Sequence, residues 1–523
     1  MVVVILTVDK LFYLTKELVL FGRLLIIFSF ILTLFFLLLL FFQKLSLSNS
    51  YYSIQNYKYI YIWLTVLISL VYMFVGLRLF FLCSNNFFIM TIDNKLAIST
   101  LINNNIVFEL FKSLDFYPLR RFFIFSISKF NIIFILLFIC LYPVISFMVI
   151  SDDNAYSFKY YIHMQLIFCF SFFLLLTENI AIFYFTYEVI IILTYSMLNL
   201  SSNSRGNIEA SLYFLGWATL GSILVGFGFL WYIICTNSFN FLLMNECKLT
   251  HFEINAIYLL LFLGFGTKMS LWPFWYWLPK AHVEVSTGVS IFLSCIIIKL
   301  SYFCMLKFQY FLPGEIVVNI CIFLGILGVL DIVFHVINIR DLKSLIAHSS
   351  VLHTNLLIIL THTDTIHTSL NNILLYVWGH SLSTAGLFLC VYLIELRFGT
   401  RNIIHVSGVW HTIPVLGYLI VWNLLSFLEF PITLFFWGEL WLWINLITYF
   451  PLLGGELLLI CSSAFLCIFF KIWWGVLFGV SNKTVLPVNN PMWKWYIIWI
   501  VWILVLQLII GIQPSYLTSI MGV

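Results

Sequence analysis

The chain has 523 residues, of which 63% are hydrophobic and 9% charged, and its mean hydropathy is +1.09. A soluble domain carries roughly 25% charged residues, so this composition excludes a water-soluble globule and makes lipid the solvent. The net charge of +4, from 25 Lys and Arg against 21 Asp and Glu scattered along the chain, excludes a nucleic-acid footprint.

A membrane-spanning helix needs about 20 mostly apolar residues. Fourteen such runs occur between polar or Pro/Gly punctuation, near 20–42, 58–83, 130–150, 162–181, 182–199, 211–235, 255–278, 286–308, 315–337, 343–361, 372–396, 412–446, 452–478 and 493–515. They predict an all-α polytopic membrane protein. The stretch 84–128, with Asn103 to Asn105, Lys112 and Arg120-Arg121, is too polar to span and reads as a surface loop. The seventh run carries Pro273, and the long twelfth carries Pro431 near its middle. A Pro inside a membrane helix frees a carbonyl that must find another partner, so both helices are expected to be broken.

Broken helices in corresponding halves of a chain point to a transport pathway between inverted repeats. Glu188 precedes Lys268 by 80 residues and His353 precedes Glu439 by 86, and in each pair the second residue lies on a broken run. The expected organisation is therefore 1–161 for an N-terminal tail, three helices and the polar loop, 162–310 and 311–480 for two five-helix repeats, and 481–523 for a last helix. Lys and Arg concentrate in the short loops after odd-numbered runs, as at Lys44, Lys159, Arg340, Arg401 and Lys483, against Lys248 and Lys307 after even-numbered ones. The positive-inside rule then puts the odd loops on the matrix or cytoplasmic side.

The 11 cysteines form no C-x-x-C pair, and Cys140, Cys169, Cys295 and Cys321 stand alone in apolar runs as small hydrophobes. The pattern argues against a thiolate metal site and a disulfide framework. Asp9 and Glu17 in the first residues fit neither a signal peptide nor a transit peptide, so no cleavage is expected. The 56 Phe and 27 Tyr fit an AT-rich, organelle-encoded gene.

An ionised side chain at the bilayer centre costs roughly 2.5–3.5 kcal/mol on insertion scales, so each one needs a reason. Glu188, Lys268, Lys299 and Glu439 all sit well inside apolar runs, joined by His348, His353 and His380. In hydrocarbon a lysine gives up its proton more readily and a carboxyl holds it more tightly, and an approaching counter-charge reverses both tendencies. Histidine suits relaying between such sites. No redox cofactor motif accompanies them, which makes H+ the most economical cargo, ahead of Na+. A lone Glu or Lys can instead pin two helices together, but four, two of them beside helix breaks, favour transport. His348 and His353 are five apart and do not share a helix face, so each also reads as a residue hydrogen-bonded to its neighbours. Asp331 and His335 at i,i+4 can satisfy one another, Lys471 reads as structural, and Glu178 and Glu429 stay open.

At 267–284 the chain reads TKMSLWPFWYWLPKAHVE. WLPKAHVE closely resembles the segment after the broken seventh helix in the subunit 4 family of NADH:ubiquinone oxidoreductase, respiratory complex I. FYFTYE at 183–188, YFLGWATLGS at 213–222, DLKSLIAHSSVLH at 341–353, GHSLSTAGLFL at 379–389 and WGEL at 437–440 are similar to that family's fifth, sixth, tenth, eleventh and twelfth helices. The resemblance implies about 14 helices and proton translocation coupled to electron transfer in other subunits. It assigns the pumping carboxylate to Glu188, its partner to Lys268, the central lysine to Lys299, an intervening relay to His353 and the exit acid to Glu439; His348 and His380, chosen from their place in apolar runs and not from the resemblance, are candidate further relays. It also implies no cofactor on this chain; NADH, FMN, iron–sulfur clusters and ubiquinone belong to partner subunits. The implied partners are other complex I subunits, including the paralogous antiporter-like subunits 2 and 5, and membrane lipids, in the mitochondrial inner membrane. A multi-subunit Na+/H+ antiporter with the same fold is the alternative. The chain departs from the family at Ser270, where a Pro is usual, at Val285-Ser286 in place of Ala-Pro, at His348 in place of Tyr, and at Glu429, whose position is usually small or apolar.

Overall fold

A computed structural model of the chain describes residues 129–151, 157–201, 204–239, 249–308, 313–363, 369–480 and 493–514. The runs expected near 20–42 and 58–83 and the polar stretch 84–128 lie outside the described residues. Regular structure among the described residues is helical throughout. Among the described residues, ten segments are long and apolar enough to cross a membrane, and two shorter apolar helices accompany them.

The described residues fall into two compact units. The first holds α1 (Lys129–Ser151), α2 (Ser157–Leu176) and nearly all of α3 (Ile180–Ser201). Within it, Gln165 Nε2 donates to the Tyr142 hydroxyl, and the Tyr142 ring meets Phe168 edge-on at 4.7 Å. Asn179 starts α3 by accepting from the Ala181 N–H (2.9 Å), the side-chain cap that Asn commonly supplies. Glu188 sits half-buried in the middle of that helix.

The second unit holds the remaining helices. These are α4 (Arg205–Thr236), α5 (His251–Met269), α6 (Trp277–Glu284), α7 (Thr287–Phe292), a π-helical turn (Leu293–Ile297), α8 (Ile298–Lys307), α9 (Glu315–Asn338), α10 (Leu342–Thr363) and α11 (Ser369–Phe398). They are followed by α12 (Val409–Thr412), α13 (Pro414–Phe427), α14 (Leu434–Tyr449), α15 (Pro451–Phe470), a second π-helical segment (Lys471–Leu477) and α16 (Trp493–Ile512). Helices that are apolar on every side are what a lipid solvent permits, and burial sorts them by position. Nearly every side chain described from Thr287–Lys307, α10 and α11 is buried, so these form the core. Outer helices bury one stripe only: α4 turns Ile223, Phe227, Leu230 and Ile234 outward while Ala218, Val225, Phe229 and Tyr232 face in.

Local sequence explains the helix ends. Thr250 and Glu253 form a capping box at the start of α5, the S/T-x-x-E pattern that satisfies two orphan N–H groups at once. Asp341 accepts from the Lys343 N–H (2.9 Å) at the start of α10 and pairs with Arg401 Nε at 3.0 Å. Lys471 Nζ donates to the Val336, Ile337 and Ile339 carbonyls at the end of α9, an ammonium placed where a helix C-terminus carries its partial negative charge. Asp331 and His335 do pair, at 3.6 Å.

Two helical interruptions stand out. α5 ends at Met269, and Ser270 takes a left-handed conformation (φ 63°) with its N–H on the Gly266 carbonyl. The Trp272–Pro273 peptide is cis, and a 3-10 turn at Phe274–Tyr276 leads into α6. Ser270, rather than Pro273, therefore begins the interruption. Backbone groups freed at this depth find side chains on α10. Asn355 Oδ1 accepts from the Trp272 N–H and Asn355 Nδ2 donates to the Ser270 carbonyl, both at 3.4 Å. The Ser270 and Thr354 hydroxyls lie 3.2 Å apart. The second interruption separates α13 from α14 over 428–433, where Glu429 and Ile432 have positive φ of 60° and 95°.

Candidate functional site: a buried polar line

The π-helical turn at 293–297 precedes Lys299, whose Nζ donates back to the Ser294 carbonyl at 3.0 Å. The same Nζ meets His380 Nδ1 on α11 at 2.5 Å. The His380 ring lies 5.4 Å, centroid to centroid, from His353 on α10. His353 is boxed by Phe427, Phe435 and Phe465 at 4.9, 4.9 and 5.0 Å. Its Nδ1 faces the Tyr376 hydroxyl at 3.1 Å and Glu429 Oε1 at 3.7 Å. Lys299, His353 and His380 are at most 2% exposed, yet one touches the next.

Glycine makes the crossing of α11 and α14 close enough to hold this line. A Cβ on Gly438 would stand 2.6 Å from the Tyr376 Cα, and one on Gly379 would stand 2.6 Å from the Phe435 Cα. Only a residue without a side chain fits such a backbone approach. The crossing sets Glu439, the neighbour of Gly438, in the first turns of α14 beside α11. Trp443 Nε1 donates to Glu439 Oε1 at 2.7 Å. Glu429 and Glu439 line one open groove of about 550 Å³ with Phe436, Trp443 and Thr448.

Four polar atoms on this line are buried with no hydrogen-bond partner among the described residues: His380 Nε2, His353 Nε2, Glu429 Oε1 and Glu439 Oε2. Each would cost about 1–3 kcal/mol if left dry. Buried polar groups of native proteins are almost always satisfied, by ordered water where protein does not suffice. Four such orphans on neighbouring residues are unmet valences that ordered water would satisfy.

The remaining residues singled out from the sequence are placed as follows. Lys268 is buried in the last turn of α5, immediately before the interruption, and Trp277 Nε1 ties the turn down through the Thr267 carbonyl at 2.8 Å. Glu188 belongs to the first compact unit. His348 stands apart from the line: its Nδ1 lies 2.8 Å from the Ser344 carbonyl of its own helix, and its ring packs against Trp275 and His335 at 5.7 and 6.4 Å. Two members of the line were not selected from sequence. Tyr376 is one of many aromatics, with nothing to distinguish it. Glu429 carried a usable signal, a charge two residues before the proline of an interrupted apolar run.

The described geometry coincides with a family match. Residues 177–465 match the family described as "NADH:quinone oxidoreductase/Mrp antiporter, TM". The chain belongs to that family. Every residue of the line, with Glu188 and Lys268, falls inside the span matched to the NADH:quinone oxidoreductase/Mrp antiporter family. Among relatives, the NADH-ubiquinone oxidoreductase chain 4 of Paramecium tetraurelia is 31% identical over 369 residues, covering 69% of this chain and 76% of that protein. Two solved structures share the fold. A chain of the archaeal membrane-bound sulfane sulfur reductase superposes with a TM-score of 0.71 at 15% identity, over 89% of this chain and 95% of that one. A chain of respiratory complex I from Thermus thermophilus superposes with a TM-score of 0.67 at 20% identity, over 76% and 84%.

Proposed function

We propose that this chain is the proton-translocating, antiporter-like subunit of the membrane arm of NADH:ubiquinone oxidoreductase, in the mitochondrial inner membrane. The observation that carries the reading is the succession of orphaned, buried, proton-exchanging groups from Lys299 through His380 and His353 to the carboxyls, on a chain whose family includes these subunits. Glu188 is the pumping carboxylate of the scheme, and a change of counter-charge resets how tightly Lys268 holds its proton. The proton passes by water to Lys299, then through His380 and His353 to Glu439, which releases it. NADH oxidation on FMN, electron passage over iron–sulfur clusters and ubiquinone reduction take place in partner subunits, among which are the paralogous subunits 2 and 5.

In this reading about 14 helices form two inverted five-helix repeats, 162–310 and 311–480, whose broken seventh and twelfth helices carry Lys268 and Glu439. The segments 1–161 and 481–523 flank them. The interruptions after Met269 and Phe427 support it, each lying close to one of those residues.

Replacing Lys268 with Met is expected to abolish the proton pumping attributable to this subunit while leaving the enzyme assembled. Unchanged pumping in assembled enzyme refutes the assignment. The family also includes Mrp antiporters, so a cation/proton antiporter subunit is the second reading. Purification separates the two: co-migration with flavin and iron–sulfur proteins favours complex I, and isolation in a small flavin-free assembly favours the antiporter.

A further inference from the structure

The scheme above gives release to Glu439 alone, yet of the two carboxyls Glu429 is the one in ion-pairing range of His353. Its Oε1 lies 3.7 Å from His353 Nδ1. The residue occupies the interruption between α13 and α14 in a left-handed conformation, φ 60°. A charged residue in that position would ordinarily turn its side chain to water. Here the carboxyl points inward, with its side chain 11% exposed and Oε1 lacking any hydrogen-bond donor among the described residues. The same open groove of about 550 Å³ takes in Glu429 and Glu439 and continues along one face of α14 through Trp443 to the exposed Ile444, Ile447 and Thr448. From residue 439 to 448 that face runs about 13 Å at 1.5 Å per residue. The volume has room for a chain of waters at roughly 30 Å³ each, and the two carboxyls and the Thr448 hydroxyl offer the polar partners that waters need.

We propose that Glu429 is a second proton-accepting carboxyl of this chain: it takes the proton from His353 and shares it with Glu439 across the groove, so that release occurs from a carboxyl pair. The inference rests on the proton-translocating reading. In the step, the N–H bond at His353 Nδ1 breaks and an O–H bond forms at Glu429 Oε1. A movement of under about 1 Å brings the two atoms to hydrogen-bonding distance. The proton then moves over water to Glu439 Oε2, the oxygen that Trp443 does not hold. His353 is left neutral and is recharged from the His380 side. The route ends at the junction of α14 and α15, in a loop that follows an even-numbered run. By the distribution of basic residues that loop lies opposite the matrix side, where a released proton should emerge.

The test uses the assembled enzyme in sealed vesicles, with NADH oxidation and proton translocation followed together. Because the two carboxyls act in series, Glu429→Gln is expected to lose the same share of proton translocation as Glu439→Gln, and the double replacement no more than the worse single one. Wild-type translocation in Glu429→Gln, with the loss present in Glu439→Gln, overturns the inference and leaves the functional reading standing. If Glu439→Gln and Lys268→Met are silent as well, the functional reading itself fails. A second measurement needs no variant. Dicyclohexylcarbodiimide reacts with protonated carboxyls in apolar surroundings, and mass spectrometry of the labelled wild-type chain is expected to find adducts on both Glu429 and Glu439. An adduct confined to Glu439 overturns the inference.

Discussion

His380 bridges Lys299 and His353, and its replacement gives the sharpest test of whether the polar line conducts. The ring fills the space between Lys299 Nζ, 2.5 Å from its Nδ1, and the His353 ring, 5.4 Å away between centroids. Without the imidazole, Lys299 and His353 are separated by more than the roughly 2.6–3.2 Å over which a proton passes directly. Two variants separate conduction from folding. His380→Gln keeps an acceptor for the lysine and removes the titratable ring, whereas His380→Leu removes both. A positioned proton-transfer group supplies about 10²–10⁴-fold, or about 2.7–5.4 kcal/mol at 1.36 kcal/mol per decade. Either variant should therefore slow the path enough to silence this subunit's share of pumping. The Leu variant additionally strands the buried lysine with one acceptor, at about 1.5–3 kcal/mol for the lost hydrogen bond to a charged group, and should assemble less well. The assay is the ratio of protons translocated to NADH oxidised in sealed vesicles, with the amount of assembled enzyme measured beside it. A Gln variant that pumps at the wild-type ratio would show that protons do not travel through this ring.

Two further expectations concern what holds the line in place. Asn355→Leu removes the side chain that satisfies the Trp272 N–H and the Ser270 carbonyl; with both bonds long, at 3.4 Å, the cost falls low in the range of about 1–3 kcal/mol per stranded group. A total near 2 kcal/mol predicts amide exchange at 270–276 about 30-fold faster by mass spectrometry, and unchanged exchange would mean that Asn355 does not brace the interruption. Lys471→Met removes the ammonium that bridges three carbonyls at the end of α9; because Lys471 is only half-buried, about 2 kcal/mol is expected. That loss should lower the thermal midpoint of the assembled enzyme, with Lys471→Arg recovering most of it, and equal midpoints for Met and wild type would remove Lys471 from the account.

How much of this was legible in the sequence follows from what each signal depends on. Helices were legible because a lipid solvent requires a long apolar run, and length is a local property: the runs at 315–337, 343–361 and 372–396 correspond to α9, α10 and α11 within a few residues. The first interruption was less so. Pro273 marks a place where a helix cannot continue, but the chain had already turned at Ser270, whose left-handed conformation is supported by Asn355 from a helix 85 residues away. Histidine roles were the least legible. His348 and His353 share a helix and similar neighbours in sequence, yet one bonds its own turn and the other faces a second helix. The difference lies in where α11 and α14 cross, and that is fixed by Gly379 and Gly438. Glu429 could be noticed from its place before Pro431, but its partner could not, because His353 comes from α10.

The wide turn at Leu293–Ile297 has a consequence for how such a chain can change. In an α-helix each residue advances the direction of its side chain by about 100°, and a π turn slips in one more residue than the α count. Nine residues of regular α-helix would set Ser290, whose hydroxyl reaches the His282 carbonyl, and Lys299, which reaches His380, on opposite faces of the rod. The extra residue of the π turn cuts that offset to about 80°. Point replacements leave that offset untouched. Losing or gaining a single residue between them would swing the lysine about a quarter-turn, away from its imidazole, so a lineage could re-aim its central cation by an insertion or deletion without altering any chemical group.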